Sequence, residues 1–277
     1  MTAAEEAELV AAAIAADADG EVAEEPALPY HIDFRALTRA VLEECVVVAP
    51  PKALPGKCTI AWINFDYKKF KEACPQYPAL EPRRQSLYSN HPFLKTSFGY
   101  SPKVQTDERG IETITNNLRL EFSDYIDNDG REYEEWCKMV DDFWIDKYMA
   151  NVASSSPWPR CGIKGTITRD AVYQKYKSIY RQPETAGFAY YKSMHFKTPP
   201  ANKMEAIVDM YDGNREPVHY STLPKDYYCR GFFQFQKLFF GNDSWGPSLQ
   251  VDLEQYDSVE NLRTKGVGKK RACPFTD

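Results

Sequence analysis

Residues 231–259 read GFFQFQKLFFGNDSWGPSLQVDLEQYDSV and contain the clearest strand pattern in the chain. From Leu249 to Glu254, apolar and polar residues alternate strictly, as they do in a strand with one face in water. The preceding run, Phe232 to Phe240, is rich in aromatic residues, and turn-forming residues from Gly241 to Gly246 separate the two runs. We therefore predict a β-hairpin with a longer loop, whose strands span 232–240 and 249–259.

Patterns upstream of the hairpin predict both helices and strands. Apolar residues from Tyr133 to Tyr148 recur at helical spacing and form one broad stripe. Helices are predicted at 33–45, 130–150 and 169–180. Strands are predicted at 58–67, with both faces covered, and at 110–122, 188–197, 204–211 and 216–220.

The hairpin resembles the closing hairpin of OB-fold single-stranded DNA-binding proteins of nucleo-cytoplasmic large DNA viruses, which are related to a phage replication protein. Two more segments fit the order of elements in that family. Residues 92–100, PFLKTSFGY, are followed by the extended 118–122 and a long acidic helix, and a long strand pair at 192–209 precedes the hairpin. The resemblance covers roughly residues 59–259.

This resemblance carries expectations for both fold and function. It implies a mainly β protein with helical insertions (α+β), built on an OB-fold-like five-stranded, partly open barrel. It implies that the protein coats unpaired strands during viral DNA replication or recombination, by base stacking and phosphate neutralisation. The rival interpretations are a virion structural or scaffold protein, whose aromatic surfaces serve assembly, and an accessory factor that kept the barrel but lost the groove.

The charge of the chain is unevenly distributed. The formal net charge of −6 argues against a polyanion as partner, but residues 1–27 contain eight acidic residues and no basic one. Subtracting these eight from the total of 40 leaves 32 acidic residues against 34 basic ones, so the rest of the chain is close to neutral. We predict a disordered acidic arm (1–29), a single OB-fold-like domain (30–260) and a basic flexible tail (261–277).

The acidic arm has two interpretations. In the resembled family, the phage member has an acidic tail at its other end, which competes with DNA and recruits replication partners. By this resemblance the arm occupies the DNA groove and contacts replication proteins, and deleting residues 1–27 tightens DNA binding. Alternatively the arm is a solvating tail, and the deletion leaves binding unchanged. A homodimer is also expected as an assembly.

Several functional classes have no pattern in the sequence. The seven cysteines are scattered without a Cys-x-x-Cys pair, which favours reduced thiols over disulfides or zinc. No apolar run reaches the ~20 residues of a membrane span, and no basic region typical of a signal peptide begins the chain. Phosphate-loop, nucleophile-elbow and zinc-peptidase motifs are missing, and Asp141 and Asp142 are expected to be solvated. We expect an intracellular, non-secreted protein of the host cytoplasm or nucleus, neither an enzyme nor membrane-bound, without cofactor or metal.

Binding of single-stranded DNA requires rings on which bases stack and cations that follow the phosphates. Residues 173–197 interleave both types, and strand alternation places Tyr191, His195 and Lys197 on the side predicted to face DNA. Trp158 and Trp245 are either stacking platforms or rings packed under loops, and the lysines are either contacts or a solvated rim. The predicted nucleic-acid-binding residues are Lys95, Tyr100, Lys103, Trp158, Lys175, Lys177, Tyr191, Lys192, His195, Lys197, Lys237 and Trp245. Of these, Lys95, Tyr100 and Lys103 follow from the resemblance alone.

Overall fold

A computed structural model describes most of the chain between residues 31 and 257. The described ranges are 31–54, 58–77, 85–96, 100–106, 112–123, 125–154, 158–180, 184–185, 188–189, 192–197, 209–212, 216–218 and 226–257. The predicted acidic arm and basic tail lie outside them.

Within these ranges the protein is a mixed α/β structure with mostly strand content. The helices are a short 3-10 helix (Phe34–Ala36), α1 (Arg39–Cys45), α2 (Tyr67–Ala73), α3 (Asp129–Val152) and α4 (Arg169–Lys175). The strands are β1 (Val46–Val48), β2 (Lys52–Ala53), β3 (Thr59–Phe65), β4 (Leu87–Thr96), β5 (Tyr100–Thr106), β6 (Glu112–Glu121), β7 (Glu184–Thr185), β8 (Phe188–Ala189), β9 (Ser193–Lys197), β10 (Asp209–Tyr211), β11 (Pro217–Val218), β12 (Tyr227–Phe240) and β13 (Trp245–Asp257). Across the described residues, no helix has the length and apolar character that crossing a membrane requires.

Five of the strands form a closed ring. Its order is β4, β6, β9, β13 and β12, and β12 pairs with β4 again. Only the pairing of β9 with β13 is parallel; the other four are antiparallel. Along the edge of β12 that pairs with β4 at residues 227–235, residues 237–240 pair instead with β3, which continues the sheet to β1 and β2. The ring and this extension therefore share one sheet surface.

The predicted hairpin is confirmed as β12 and β13. The two strands pair from Tyr228 to Phe240 on β12, with two irregularities in register. The loop is shorter than the sequence pattern predicted, because Gly241 donates its N–H to the carbonyl of Ser244 (2.7 Å) and β13 already begins at Trp245. Tight closure of the loop thus brings Trp245 into the sheet rather than leaving it in the turn.

Helix α3 packs against inward-pointing side chains of the ring, and its apolar stripe confirms the helix predicted at 130–150. The rings of Trp136 and Trp144 each lie 6.3 Å from that of Phe235 on β12. One turn after Trp144, Tyr148 stacks on Trp245 of β13, with 4.1 Å between the ring centres. All of these side chains are buried, and each large buried side chain contributes about 1.5–3 kcal/mol.

Two predicted helices are shorter in the structure. The segment 33–45 forms the 3-10 helix and α1 separately, because the Thr38 hydroxyl accepts from Val41 N and starts a second helix. The helix predicted to reach residue 180 ends at Lys175, since Tyr176 is extended and bridges to Trp245 of β13. Of the predicted strand 188–197 the described parts are β8 and β9, and of the strands predicted at 204–211 and 216–220 they include β10 and β11; residues 190–191, 204–208 and 219–220 lie outside the described residues.

Candidate nucleic-acid interface

One side of the sheet faces away from α3, and we call it the outer face. Because successive residues of a strand point to opposite sides, each of its residues alternates with a core residue. Met194 and Phe196 point inward and are buried completely, whereas His195 between them is only partly buried. The described members of the outer face are Trp62, Lys95, Arg119, Glu121, Ser193, His195, Lys197, Gln234, Lys237, Phe239, Ser248 and Gln250.

A pocket of about 240 Å³ opens on the outer face, between β9, β13, the end of β12 and the segment after α4. Its polar and aromatic lining consists of Lys177, Ser178, His195, Lys197, Phe239 and Ser248. The remaining lining residues are Ile179, Pro247 and Leu249, so no carboxylate lines the pocket. A cavity that combines two ammonium groups, an imidazole, a phenyl ring and two hydroxyls suits a planar ring that carries a negative charge.

The wall of the pocket formed by Lys177 is fixed by backbone contacts to β13. Lys177 N–H donates to the carbonyl of Trp245 (2.7 Å), which continues the bridge between Tyr176 and Trp245. The next residue of β13 must be glycine, because a Cβ at Gly246 would lie 2.7 Å from the carbonyl oxygen of Lys177. Close approach of the two backbones therefore sets the position of the Lys177 side chain.

A buried carboxylate fixes the segment 176–179, which includes the same wall, by accepting hydrogen bonds from it. Asp141 of α3 is 8% exposed and accepts hydrogen bonds from Tyr176 Oη (2.7 Å), from Ile179 N (3.0 Å) and from Ser178 Oγ. Burial raises the pKa of Asp141 to about 6, although these hydrogen bonds favour the charged form. The expectation that Asp141 is solvated is wrong, because the segment 176–179 folds back over it.

A polar network occupies the part of the outer face on β6 and β9. Arg119 Nε donates to Ser193 Oγ (3.2 Å), which lies 3.2 Å from His195 Nε2. Arg119 also lies 3.6 Å from the carboxylate of Glu121, which is almost completely buried. These contacts hold the guanidinium and the imidazole side by side, next to the pocket.

An exposed tryptophan lies on the outer face where β3 extends the ring. Trp62 is 48% exposed, and Lys237 of the neighbouring strand places its Nζ 5.5 Å from the centre of the indole. The sequence predicted a strand covered on both faces; Ala61, Ile63 and Phe65 on one face and Ile60 on the other are buried, but Trp62 is exposed. Alternation of Trp62 with these apolar residues was the pattern that could have identified it.

Four of the predicted site residues lie together on or near the pocket. Lys177, His195 and Lys197 line it, and Lys237 is paired with Ser248 of the lining. Lys175 is not among the lining residues and lies 3.9 Å from Asp243 in the hairpin loop. The structure thus brings together residues that are separated by up to 60 positions in the sequence.

Five other predicted binding residues are not among those that line the pocket. Lys192 precedes β9, and its Nζ lies 4.6 Å from the centre of the Tyr180 ring. Lys95 is paired with Glu121 of β6, which places it on the outer face but outside the pocket lining, and its Nζ lies 3.9 Å from Asp226. Tyr100 and Lys103 lie in β5, whose side chains are outside the described part, and Tyr191 is outside the described residues altogether.

The two tryptophans considered as stacking platforms are packed inside the protein. Trp245 is fully buried between Tyr148 and Tyr176, and its Nε1 donates to the carbonyl of Val172 (3.3 Å). Trp158 is 5% exposed and packs edge-on against Phe240. Both rings are therefore buried packing residues and not stacking platforms, and neither belongs to the outer face.

Comparison with known proteins assigns no family to this arrangement. No protein-family model matches the chain, and no curated protein matches it. Among the described residues, no group of three or more His, Cys, Asp or Glu is arranged to hold a metal ion. The function must therefore be argued from the outer face and its pocket.

Proposed function

We propose that the protein is a non-catalytic single-stranded DNA-binding protein that coats unpaired strands during viral DNA replication or recombination. The observation that carries this proposal is the pocket on the outer face, whose lining combines Lys177, Lys197 and His195 with the ring of Phe239. Rings for stacking and cations for phosphates are the two components that such binding needs.

The ring of five strands supports an OB-fold as the finer assignment of the fold. Numbered along the chain, its strands lie in the order first, second, third, fifth and fourth, and the fourth closes on the first. The only parallel pair joins the third and fifth strands, as in a five-stranded Greek-key OB-fold. OB-folds bind oligonucleotides on their second and third strands and on the loop between the fourth and fifth. In this chain those elements are β6, β9 and the loop 241–244, and of these β9 lines the pocket through His195 and Lys197.

The size and chemistry of the pocket suit one nucleotide. Sites for drug-sized ligands and cofactors usually have about 300–1,000 Å³, so a pocket of about 240 Å³ accepts a base better than a whole cofactor. In the proposed complex a base stacks on Phe239, while Lys177 and Lys197 contact the phosphates on either side. Such contacts do not distinguish bases strongly, so binding has little sequence preference.

Titration with fluorescent oligo-dT and with a duplex of equal length, at two salt concentrations, tests the proposal. Anisotropy should show binding to oligo-dT that weakens steeply as salt rises, with a slope of about −0.7 per phosphate contact on a single strand. Binding to neither nucleic acid, or a clear preference for the duplex, would contradict the proposal.

A matched pair of lysine variants locates the binding site. Lys197→Ala removes a pocket cation and should weaken oligo-dT binding about fivefold at 0.1 M salt, which corresponds to the loss of one phosphate contact. Lys68→Ala removes an exposed lysine of α2 that is not part of the outer face, and it should leave affinity unchanged. Equal effects of the two variants would mean that only the overall charge matters.

A further experiment distinguishes the proposed function from that of a scaffold protein. Analytical ultracentrifugation with and without oligo-dT shows whether assembly depends on nucleic acid. A large assembly that forms without oligo-dT and does not respond to it would favour the scaffold. Small particles that each take up oligo-dT support the proposed function.

A further inference from the structure

Trp62 is the one exposed tryptophan of the five in the chain, all of which the structure describes. Its side chain is 48% exposed, whereas the other four are at most 7% exposed. About half of the Trp62 side chain is open to solvent, so its ring is accessible to a ligand, whereas the other four indoles are not.

Trp62 lies close to the pocket along the same surface. On β12, Lys237 is paired both with Trp62 of β3 and with Ser248 of β13, which lines the pocket. Neighbouring strands are about 4.8 Å apart, so the Cα atoms of Trp62 and Ser248 are separated by about 10 Å. A strand that leaves the pocket across β12 therefore reaches Trp62 directly.

The charges around Trp62 favour a polyanion over an apolar protein surface. Lys237 holds its Nζ 5.5 Å from the centre of the indole. Lys52 of β2 is exposed and pairs with Ile60, which points to the same side of β3 as Trp62. The three strands β1, β2 and β3 contain no acidic residue. A ring flanked by two lysines is the arrangement that stacks a base and contacts its phosphates.

We propose that Trp62 is a second base-stacking position, and that the single strand held in the pocket continues over Lys237 onto β3. This inference rests on the proposed function and extends it, because it gives the path of the strand and places part of the site outside the ring of five strands.

Tryptophan fluorescence tests this inference directly, because the other four indoles are buried. Oligo-dT of about 16 nucleotides, the upper range of site sizes for one OB-fold, should quench the wild-type emission. In the Trp62→Phe variant, the same titration should leave the remaining emission unchanged, although anisotropy still reports binding.

Affinity measurements with two oligonucleotide lengths give an independent test. Trp62→Ala should weaken binding of the long oligo-dT about tenfold, the loss expected for one stacked base. Binding of an oligo-dT of about four nucleotides, which fills the pocket alone, should not change. Tyr173→Ala is the control, since Tyr173 is an exposed ring (63%) on α4 and not on the outer face. Circular dichroism confirms that each variant is folded.

The outcomes separate this inference from the proposed function. If wild-type protein binds oligo-dT without quenching, and Trp62→Ala binds the long oligonucleotide as tightly, the path over β3 is wrong while the function stands. Absence of any binding overturns both. If the emission of Trp62 instead changes with protein concentration alone, and Trp62→Ala abolishes self-association, the face is a contact between copies of the chain.

Discussion

The inner and outer faces of the hairpin formed by β12 and β13 share one backbone, but the inner face is packed in the core and the outer face is partly open to solvent. On the inner face, Phe233 and Phe235 are at most 1% exposed; Phe235 packs against Trp136 and Trp144 of α3, and Phe233 packs against Phe196. On the outer face, Lys237 and Phe239 are partly exposed and adjoin a pocket. The inner residues account for the fold, whereas nothing in the packing requires the identity of the outer ones. Substitutions on the two faces should therefore change different properties.

A pair of phenylalanines four residues apart on β12 tests this difference most strongly. Phe235→Ala leaves a cavity beneath Trp136 and Trp144 and should lower the free energy of unfolding by about 3–5 kcal/mol. Phe239→Ala should lower it by about 1 kcal/mol or less, yet weaken oligo-dT binding about tenfold. Urea denaturation and anisotropy measure the two effects. If Phe239→Ala costs as much stability as Phe235→Ala, the outer face is part of the core.

Asp141 connects the two faces, and its titration gives the next largest effect. Its pKa of about 6 in the folded protein lies above the ordinary value of 3.8, so the folded state binds the proton more tightly than the unfolded state. The contribution of this group to stability therefore falls as the pH rises from about 4 to about 6, and it is constant above that range. The total change is on the order of 3 kcal/mol, from a difference of about two pKa units.

The Asp141→Asn variant isolates this titration, since the amide keeps an acceptor for Tyr176 and Ile179 but has no proton to lose. Denaturation of both proteins across pH 4–7 should show that the stability of wild type relative to the variant decreases as the pH rises. A difference that is constant with pH, or that increases, would show that the buried carboxylate is not destabilised by burial.

How far the sequence predicts this molecule depends on whether a feature is local. The hairpin and α3 are predicted well, because alternation on β13 and the stripe from Tyr133 to Tyr148 are read within a single segment. The pocket needs the pairing of Gln250 with Lys197 and the bridge between Tyr176 and Trp245, which join distant segments. No local pattern specifies such registers.

The same limit explains the errors in the site. Trp245 lies next to turn-forming residues, so its ring looked exposed, but the helix that buries it is about 100 residues upstream. Asp141 lies beside an apolar stripe and looked solvated, because the segment that covers it is 35 or more residues away. Lys177 was predicted from composition, and His195 and Lys197 from strand alternation. They lie at the pocket because Tyr176 and Lys197 both pair with the same edge of β13.

Gly246 tests whether the approach of the Lys177 segment to β13 shapes the outer face. A methyl group at this position would lie 2.7 Å from the carbonyl oxygen of Lys177, so the segment must move. Gly246→Ala should lower the free energy of unfolding by about 1–3 kcal/mol and also weaken oligo-dT binding. Ser248→Ala, on the same strand and side, is the control for stability and should change it little; since Ser248 lines the pocket, this variant is not a control for binding. Unchanged binding in Gly246→Ala would mean that the position of Lys177 is unimportant.

Two lysines that the sequence could not distinguish give the smallest and most specific effect. Lys177 lines the pocket, whereas Lys192 lies against the ring of Tyr180, whose hydroxyl donates to Glu134 of α3. Lys177→Ala should reduce the salt dependence of oligo-dT binding by about 0.7 in the slope of log K against log salt, since one phosphate contact is lost. Lys192→Ala should leave that slope unchanged, because its ammonium is directed at the Tyr180 ring. Anisotropy titrations at four or more salt concentrations measure both slopes. If the two variants reduce the slope equally, DNA follows the whole basic segment, and the pocket is not its centre.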